Sequence, residues 1–462
     1  MFIHTLCSIF GALPVLLNVT KRNDVVKFLV KVAKAKAVAL LGERLVKLAA
    51  GALITIIVAR MLGPEATGYY AIVMTWSAFL APLANLGLNN LVQKSVQSAP
   101  DLRTGQQILF TATWLRLIAG LFFASLMFAG FSWYLPTEFE PYQLGAAVLF
   151  VGQLFNAFIL FEYHQNYLGH FRTLAYSKLG LGVLGLIAKL AALWYGLGIG
   201  ALFWIVGLEF AAVGVLQYQI YKGHNKDSGR LTPAWFNWQH GKELLRRSSW
   251  LWVSGILSVV YLRIDLIMIE RLIDIEAAGV YAAVSRISEL WYVIPATLAV
   301  RYYPELLKSH QVSWSGYLLL LRKYTGYFFA MALTIAVVVF IVAPPLVPLI
   351  FGEKFQAGIS VLQIHIWAGV FIFIRYLIGQ HLIITGQEPL SLASHGVGAV
   401  LNVLLNWWLI PIMGIDGAAW ATLISYAYAS FFFLFFSGRT RRQLWQLIKV
   451  KTSGVVVDKE TV

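Results

Sequence analysis

Ionisable side chains lie inside several long apolar stretches of this 462-residue sequence, and they are predominantly cationic. A charge at the middle of a membrane-spanning helix costs about 3 kcal/mol, so such residues usually face protein groups or a water-filled cavity. Arg and Lys side chains fixed there could replace the hydration of an anionic group, such as a diphosphate, with charge-assisted hydrogen bonds. The candidate binding cations are Arg116, Lys178, Lys189, Arg263, Arg286 and Arg375.

The spacing of these residues predicts which of them share a helix face. Lys178 and Lys189 are eleven positions apart, close to three helical turns, so both project from one side of their helix. Either that side faces a cavity, or the two lysines extend towards water at opposite ends of the helix. Arg286 and Glu289 are three positions apart and can pair, either as a structural or gating ion pair or as a substrate contact.

Three acidic residues in the apolar stretches are candidates for reversible binding of a proton or another cation: Glu209, Asp265 and Glu289. Glu209 lies near the centre of its stretch, where a lone carboxyl could titrate or could stay paired with a cation as part of the scaffold. Asp265 lies about 200° around the helix from Arg263, so these two residues are not expected to form one pair.

The elements that position these residues are long apolar helices. Hydrophobic residues make up 59% of the chain and charged residues only 12%, which excludes an ordinary soluble domain. Apolar runs of about 20 residues, each long enough to cross a bilayer, predict an all-α polytopic membrane protein with about twelve spans. The predicted spans are 38–61, 67–91, 107–130, 143–163, 173–195, 199–221, 248–271, 278–301, 319–343, 358–384, 390–412 and 417–437.

Basic residues gather on alternate connections between these spans, which marks the cytoplasmic side and predicts that both termini are cytoplasmic. This asymmetry accounts for most of the net charge of +15, so no nucleic-acid partner is expected. The chain has one cysteine and no paired-histidine motif, and we expect neither a metal site nor a cofactor. The basic connections are 21–36, 94–103, 172, 222–247, 301–323 and 439–451.

The sequence repeats itself. Residues 65–71 match residues 276–282, 211 positions later, and Gly200-Ala201 matches Gly417-Ala418, 217 positions later. Because each half contains six predicted spans, both copies enter the membrane from the same side, as parallel repeats that could enclose a central cavity. The predicted organisation is an N-terminal cytoplasmic or interfacial segment (1–37), a six-helix lobe (38–221), a cytoplasmic linker (222–247), a second six-helix lobe (248–437) and a basic cytoplasmic tail (438–462).

Three groups of residues carry a family resemblance. Residues 60–65 with 68–71, residues 263–265 with 268–269, and residues 410–411 with 414–422 resemble the oligosaccharide flippases of the O-antigen translocase type. This family, one of polysaccharide biosynthesis and export, belongs to the multidrug/oligosaccharidyl-lipid/polysaccharide exporter superfamily. The resemblance covers about residues 38–437, and its motifs lie at turns and helix contacts, so they identify the scaffold better than the cargo.

The resemblance implies a transporter and not an enzyme. It implies that an undecaprenyl-diphosphate-linked oligosaccharide moves from the cytoplasmic to the periplasmic leaflet of the bacterial inner membrane by alternating access. Its partners would be the lipid-linked oligosaccharide, membrane lipids and polysaccharide polymerase machinery. The cations listed above would then contact the substrate, and Glu209, Asp265 and Glu289 would be candidates for ion coupling.

Two other functions are compatible with parts of the sequence. A multidrug or other lipid exporter could use the same scaffold, although cationic drugs would be repelled by Arg116, Lys178 and Lys189. A membrane glycosyl polymerase or ligase is the enzymatic alternative, but the short outer connections leave little room for donor and acceptor binding.

Overall fold

The computed structural model describes residues 22–134, 137–167, 171–224, 231–232 and 235–449. These residues form α-helices joined by short turns and 3₁₀ segments, and no strand occurs among them. The expectations for the apolar residues 1–20, for part of the linker (225–230 and 233–234) and for the end of the basic tail (450–462) lie outside the described residues. The all-α prediction is confirmed.

Seven helices fall in the first half of the chain. They are α1 (Arg22–Asn85), α2 (Leu88–Gln97), α3 (Leu102–Tyr134), α4 (Gln143–Leu154), α5 (Ile159–Tyr167), α6 (Phe171–Trp194) and α7 (Gly198–His224). Two 3₁₀ segments, Thr137–Tyr142 and Phe155–Phe158, stand before and after α4. At the start of α3, Asp101 accepts a bond from the Thr104 amide at 2.7 Å, and this bond together with one from the Thr104 hydroxyl holds the pKa of Asp101 below its ordinary value.

Eight helices follow in the second half. They are α8 (Trp238–Leu272), α9 (Ile275–Leu290), α10 (Val293–Val312), α11 (Trp314–Phe351), α12 (Gly358–Ile384), α13 (Glu388–Met413), α14 (Ile415–Ser430) and α15 (Gly438–Lys449). Two further 3₁₀ segments are Glu353–Phe355 and Phe432–Phe435. The side chain of Asp274 caps α9 by accepting the amide N–H of Ala277 at 2.7 Å.

Each of the twelve predicted spans overlaps helix in the described part of the chain. Nine helical stretches there are long and apolar enough to cross a membrane. The first of these stretches, Val46–Asn85, overlaps two predicted spans, and α1 is broken between them at Gly63, where φ is 84° and ψ is −177°. Only glycine adopts this conformation without steric cost, so a kink separates the predicted spans 38–61 and 67–91.

Two predicted spans are missing from those nine stretches because their helices are shorter than expected. The span predicted at 278–301 is divided between α9 and α10 at Trp291 and Tyr292, and the span predicted at 417–437 ends as a helix at Ser430 and continues as a 3₁₀ turn. The second span of the first half is also interrupted, at Leu86 and Gly87, which both have positive φ. At these three places the helix is therefore interrupted within or near the end of a predicted span.

The described chain forms two compact units. One contains residues up to Ile54 together with Val73–Val259, and the other contains Thr55–Ile72 together with the residues from Val260 onwards. We call them the first and the second unit. The first unit has a core cluster of buried side chains from α2, α3, α5, α7 and α8, including Phe110, Phe161 and Tyr221.

Within the second unit, two helix starts from the matched repeat segments pack backbone against backbone. A Cβ on Gly68 would lie 2.0 Å from the carbonyl oxygen of Ile275, and a Cβ on Gly279 would lie 1.9 Å from that of Pro64. Gly279 follows Gly68, and Ile275 follows Pro64, by the same 211 positions that relate the repeats. Reciprocal contacts of this kind are expected of duplicated elements related by a two-fold axis.

Candidate functional site

Arg116 lies on α3 in the first unit with only 2% of its surface exposed. Its guanidinium donates to the side-chain oxygen of Asn89 at 3.0 Å and to that of Asn85. Its Nε is buried and has no hydrogen-bond partner among the described residues. Both side-chain partners are neutral amides, so no carboxylate bonded to Arg116 balances its charge.

Arg375 lies on α12 in the second unit and is also buried. It donates to the Ser391 hydroxyl at 2.8 Å and to the Ser391 carbonyl at 3.2 Å, and its guanidinium lies 5.3 Å from the centre of the Phe433 ring. In the described part of the chain its Nη1 atom is buried without a hydrogen-bond partner. Arg375 therefore resembles Arg116: both are buried cations whose hydrogen-bond partners among the described residues are neutral, and each has one buried nitrogen without a partner there.

Lys178 is paired with a carboxylate that the sequence analysis did not single out. Its ammonium lies 2.9 Å from one carboxylate oxygen of Glu162 and 3.1 Å from the other. Glu162 also accepts a bond from Gln217 at 2.6 Å, and all three side chains are buried. The group joins α5, α6 and α7 inside the first unit.

Lys189 is paired as well. Its ammonium lies 2.5 Å from a carboxylate oxygen of Glu209 on α7, and the two side chains are 15% and 23% exposed. Glu209 is therefore not a lone carboxyl in this conformation. Its pairing agrees with the second of the two alternatives given for it, a carboxyl bound to a cation as part of the scaffold. Lys178 and Lys189 lie on one helix, and each faces an acid from a neighbouring helix.

In the second unit, Arg263 and Arg286 share one carboxylate. Arg263 donates two bonds of 3.3 Å to the two oxygens of Glu289, and Arg286 donates one of 3.0 Å. The ion pair expected from the three-residue spacing of Arg286 and Glu289 is present. Asp265 also lies close enough to interact electrostatically with Arg263, so two carboxyl groups are near the two guanidinium groups.

Asp265 is buried and has partners other than the guanidinium of Arg263. It accepts a bond of 2.7 Å from the Tyr281 hydroxyl and one of 2.9 Å from the backbone N–H of Leu266. The Tyr281 hydroxyl also lies 3.4 Å from the Thr422 hydroxyl. This agrees with the helical angle that separates Asp265 from Arg263. The sequence analysis did not select Tyr281 or Thr422, although both belong to the motifs that it used.

The structure thus brings together only part of the predicted set. Arg263, Arg286 and Glu289 are in direct contact, whereas Arg116 in the first unit and Arg375 in the second have other hydrogen-bond partners. The neutral groups around these arginines have no charge pattern that would reveal them in a single sequence. Within the described ranges, no group of three or more His, Cys, Asp or Glu side chains is placed to hold a metal ion.

These helices and buried charges define a multi-pass membrane protein. Residues 57–360 match the family described as "Polysaccharide biosynthesis protein", and the chain belongs to this family. It is 23% identical over 414 residues to the probable flippase AglR of Haloferax volcanii, a match that covers 86% of this chain and 81% of AglR.

Solved structures of transporters share the fold. A MATE family multidrug resistance transporter of the MOP superfamily in its inward-facing conformation has a TM-score of 0.68 at 18% identity, over 89% of this chain and 96% of that one. The lipid II flippase MurJ in an inward closed conformation has a TM-score of 0.66 at 14% identity, over 90% and 91% of the two chains. The predicted membership of a polysaccharide-biosynthesis family is confirmed, and the likeness to a probable flippase agrees with the prediction of a transporter and not an enzyme.

Proposed function

We propose that this transporter moves an undecaprenyl-diphosphate-linked oligosaccharide from the cytoplasmic to the periplasmic leaflet of a bacterial inner membrane, with both of its termini in the cytoplasm. Its family acts in polysaccharide biosynthesis, and two of the proteins that it resembles are named as flippases. The MATE relatives have been solved in inward-facing and outward-facing conformations, which supports transport by alternating access.

The observation that carries the proposal is the state of Arg116. A buried charge without an ionic partner costs free energy, and proteins usually keep such a charge only where it has a function. Arg116 is fully buried, its hydrogen-bond partners among the described residues are neutral, and its Nε remains unused. A diphosphate would supply both the missing negative charge and the missing hydrogen-bond acceptors.

Arg375 offers the same chemistry in the second unit, since it too has neutral partners and an unused donor. Arg263 and Arg286 share the carboxylate of Glu289 and are further candidate contacts in our proposal. Lys178 and Lys189 are bound to carboxylates, so in our proposal they contact substrate only in a conformation where those ion pairs open. The coupling roles of Glu209, Asp265 and Glu289 and the central cavity stay predictions, as does a partnership with polysaccharide polymerase machinery.

The test is flipping of a fluorescent lipid-linked oligosaccharide by the full-length protein in vesicles. We expect Arg116→Gln and Arg375→Gln each to slow flipping strongly while the protein stays folded in the membrane. Arg247→Gln, which removes an exposed cation at the start of α8, is the matched control and should flip at the unaltered rate. Normal flipping by both buried-arginine variants would overturn the proposed role of these cations. If the unaltered protein does not flip the lipid-linked oligosaccharide, the proposed substrate is wrong.

An exporter of drugs or of other lipids is the second candidate, because MATE multidrug transporters share the fold. Cationic drugs would meet the uncompensated charges of Arg116 and Arg375, which disfavours them as substrates. Efflux of a cationic dye from vesicles under an imposed ion gradient distinguishes the two candidates. Our proposal expects no dye efflux.

A further inference from the structure

The last described helix, α15, has a composition unlike that of the membrane spans. It contains four basic residues and no acidic residue, so its charge is +4. It begins three positions after the 3₁₀ turn Phe432–Phe435 and directly after the twelfth predicted span, 417–437. A helix so close to the end of a membrane span starts at the level of the bilayer surface.

One side of α15 is fixed to the second unit by side-chain hydrogen bonds. The Thr440 hydroxyl donates to the Leu434 carbonyl at 2.6 Å, and the Gln443 amide oxygen lies 3.2 Å from His381 Nε2. Near the end of the helix, Trp314 Nε1 donates to the Gln446 side-chain oxygen at 3.1 Å. These contacts set the rotation of the helix, so its opposite side is held outwards.

The outward side combines large apolar groups with basic groups. Trp445 is 54% exposed and Ile448 is 58% exposed, and they lie one helical turn apart. Helical periodicity places Arg441, Arg442 and Lys449 on the same side, and all three are exposed. Within the described ranges none of the three basic side chains forms an ion pair with a carboxylate.

We propose that this face of α15, formed by Arg441, Arg442, Trp445, Ile448 and Lys449, binds the headgroup layer of an anionic phospholipid membrane. Trp and Ile insert at the boundary between headgroups and acyl chains, where an indole ring is favoured. The three basic groups contact lipid phosphates, and each contributes about a five-fold preference for an anionic surface. The bilayer that surrounds the spans is therefore the partner.

The experiment places an environment-sensitive fluorophore at Ile448→Cys in a Cys7→Ser background, so that the full chain carries a single thiol. The labelled protein is reconstituted in phosphatidylcholine vesicles with and without phosphatidylglycerol. We expect blue-shifted, brighter emission in the anionic vesicles and a loss of that shift at high salt, because salt screens the attraction. Equal emission in both kinds of vesicle, or solvent-like emission in both, would overturn the proposal.

Two charge variants distinguish a specific effect of the α15 face from a general effect of the net charge of the protein. Arg441→Gln/Arg442→Gln/Lys449→Gln should weaken docking of α15 to anionic lipid on the order of 100-fold. Lys242→Gln/Arg246→Gln/Arg247→Gln removes the same charge from exposed positions on α8 and should leave the emission unchanged. Equal effects of the two variants would contradict a specific role for α15.

A measurement on the unaltered protein avoids any effect of substitution on folding. Backbone hydrogen–deuterium exchange of α15 should be slower in nanodiscs that contain phosphatidylglycerol than in nanodiscs of phosphatidylcholine alone. Exchange of α7, a membrane span, provides the internal reference and should be the same in both. Identical exchange of α15 in the two lipids would also overturn the proposal.

Discussion

The lysines of α6 and the arginines of α3 and α12 are all buried or nearly buried cations, but their partners differ. Lys178 and Lys189 each meet a carboxylate within 2.9 Å. Arg116 and Arg375 meet only amides, a hydroxyl, a carbonyl and an aromatic ring among the described residues. The first arrangement neutralises charge within the protein, whereas the second leaves the charge without an ionic partner among the described residues.

From this difference we expect the two paired lysines to belong to the scaffold and the two arginines to bind substrate. Removing one member of a buried ion pair leaves the other charge unpaired, so it costs stability. Removing a buried charge that has only neutral partners relieves a desolvation cost, so it spares stability and removes whatever that charge was binding. Five substitutions test this contrast.

The largest effect is expected for Lys178→Met. It leaves Glu162 buried without its cation, and the free energy of unfolding should fall by about 3–5 kcal/mol. Thermal unfolding in detergent measures the loss. Adding Glu162→Gln to the same chain should restore much of the stability, because Gln217 can still bond to a neutral amide. A double variant as unstable as the single one would contradict the ion-pair explanation.

Glu289→Gln should have the next largest effect. It leaves Arg263 and Arg286 beside each other without their shared carboxylate, and we expect a loss of about 2–3 kcal/mol, less than for Lys178 because Arg286 is 40% exposed. Glu276→Gln, an exposed substitution on the same helix, is the control and should change stability by less than about 0.5 kcal/mol. Equal stability of the two variants would show that Glu289 does not hold this cluster together.

Arg116→Gln should act on transport. The loss of one charge-assisted contact to the substrate corresponds to a rate on the order of 10- to 100-fold lower in the vesicle flipping assay. The unfolding temperature should stay the same or rise, because an uncompensated buried charge is gone. If the protein unfolds more easily while the remaining folded protein transports normally, Arg116 belongs with the structural cations and the contrast fails.

Lys189→Met should be milder than Lys178→Met. The pair between Lys189 and Glu209 is partly exposed, so water can solvate the remaining carboxylate, and we expect a loss of about 1–2 kcal/mol. The same thermal unfolding measurement applies. A flipping rate as low as that of Arg116→Gln would assign Lys189 a substrate contact in addition to its ion pair.

The smallest effect is expected for Arg247→Gln. The pair between Arg247 and Glu243 spans one helical turn at 3.3 Å and both side chains are about half exposed. Pairs of this kind contribute about 0.3–0.5 kcal/mol or less. The unfolding temperature should be unchanged within error. A clear decrease would show that the stability contributed by an ion pair of this protein does not depend on its exposure.

Contacts between neighbours on one helix could be predicted from sequence, and contacts between helices could not. The spacing of Arg286 and Glu289 predicted their ion pair, and the helical angle separated Arg263 from Asp265. Glu162 lies sixteen positions from Lys178 on another helix, so periodicity gave no reason to join them. The apolar runs located the spans, but the division between α9 and α10 depends on local backbone geometry that hydrophobicity does not record.

The contact between Gly68 and Gly279 limits which substitutions the two halves of the sequence can accept. Each glycine lies against the other copy's backbone, so neither position can accept a side chain while the two helix starts remain together. A substitution in one copy cannot be accommodated by an independent change in the other. Both matched segments therefore need glycine at this crossing, whereas the charged residues form separate ion pairs in the first unit and a shared cluster in the second.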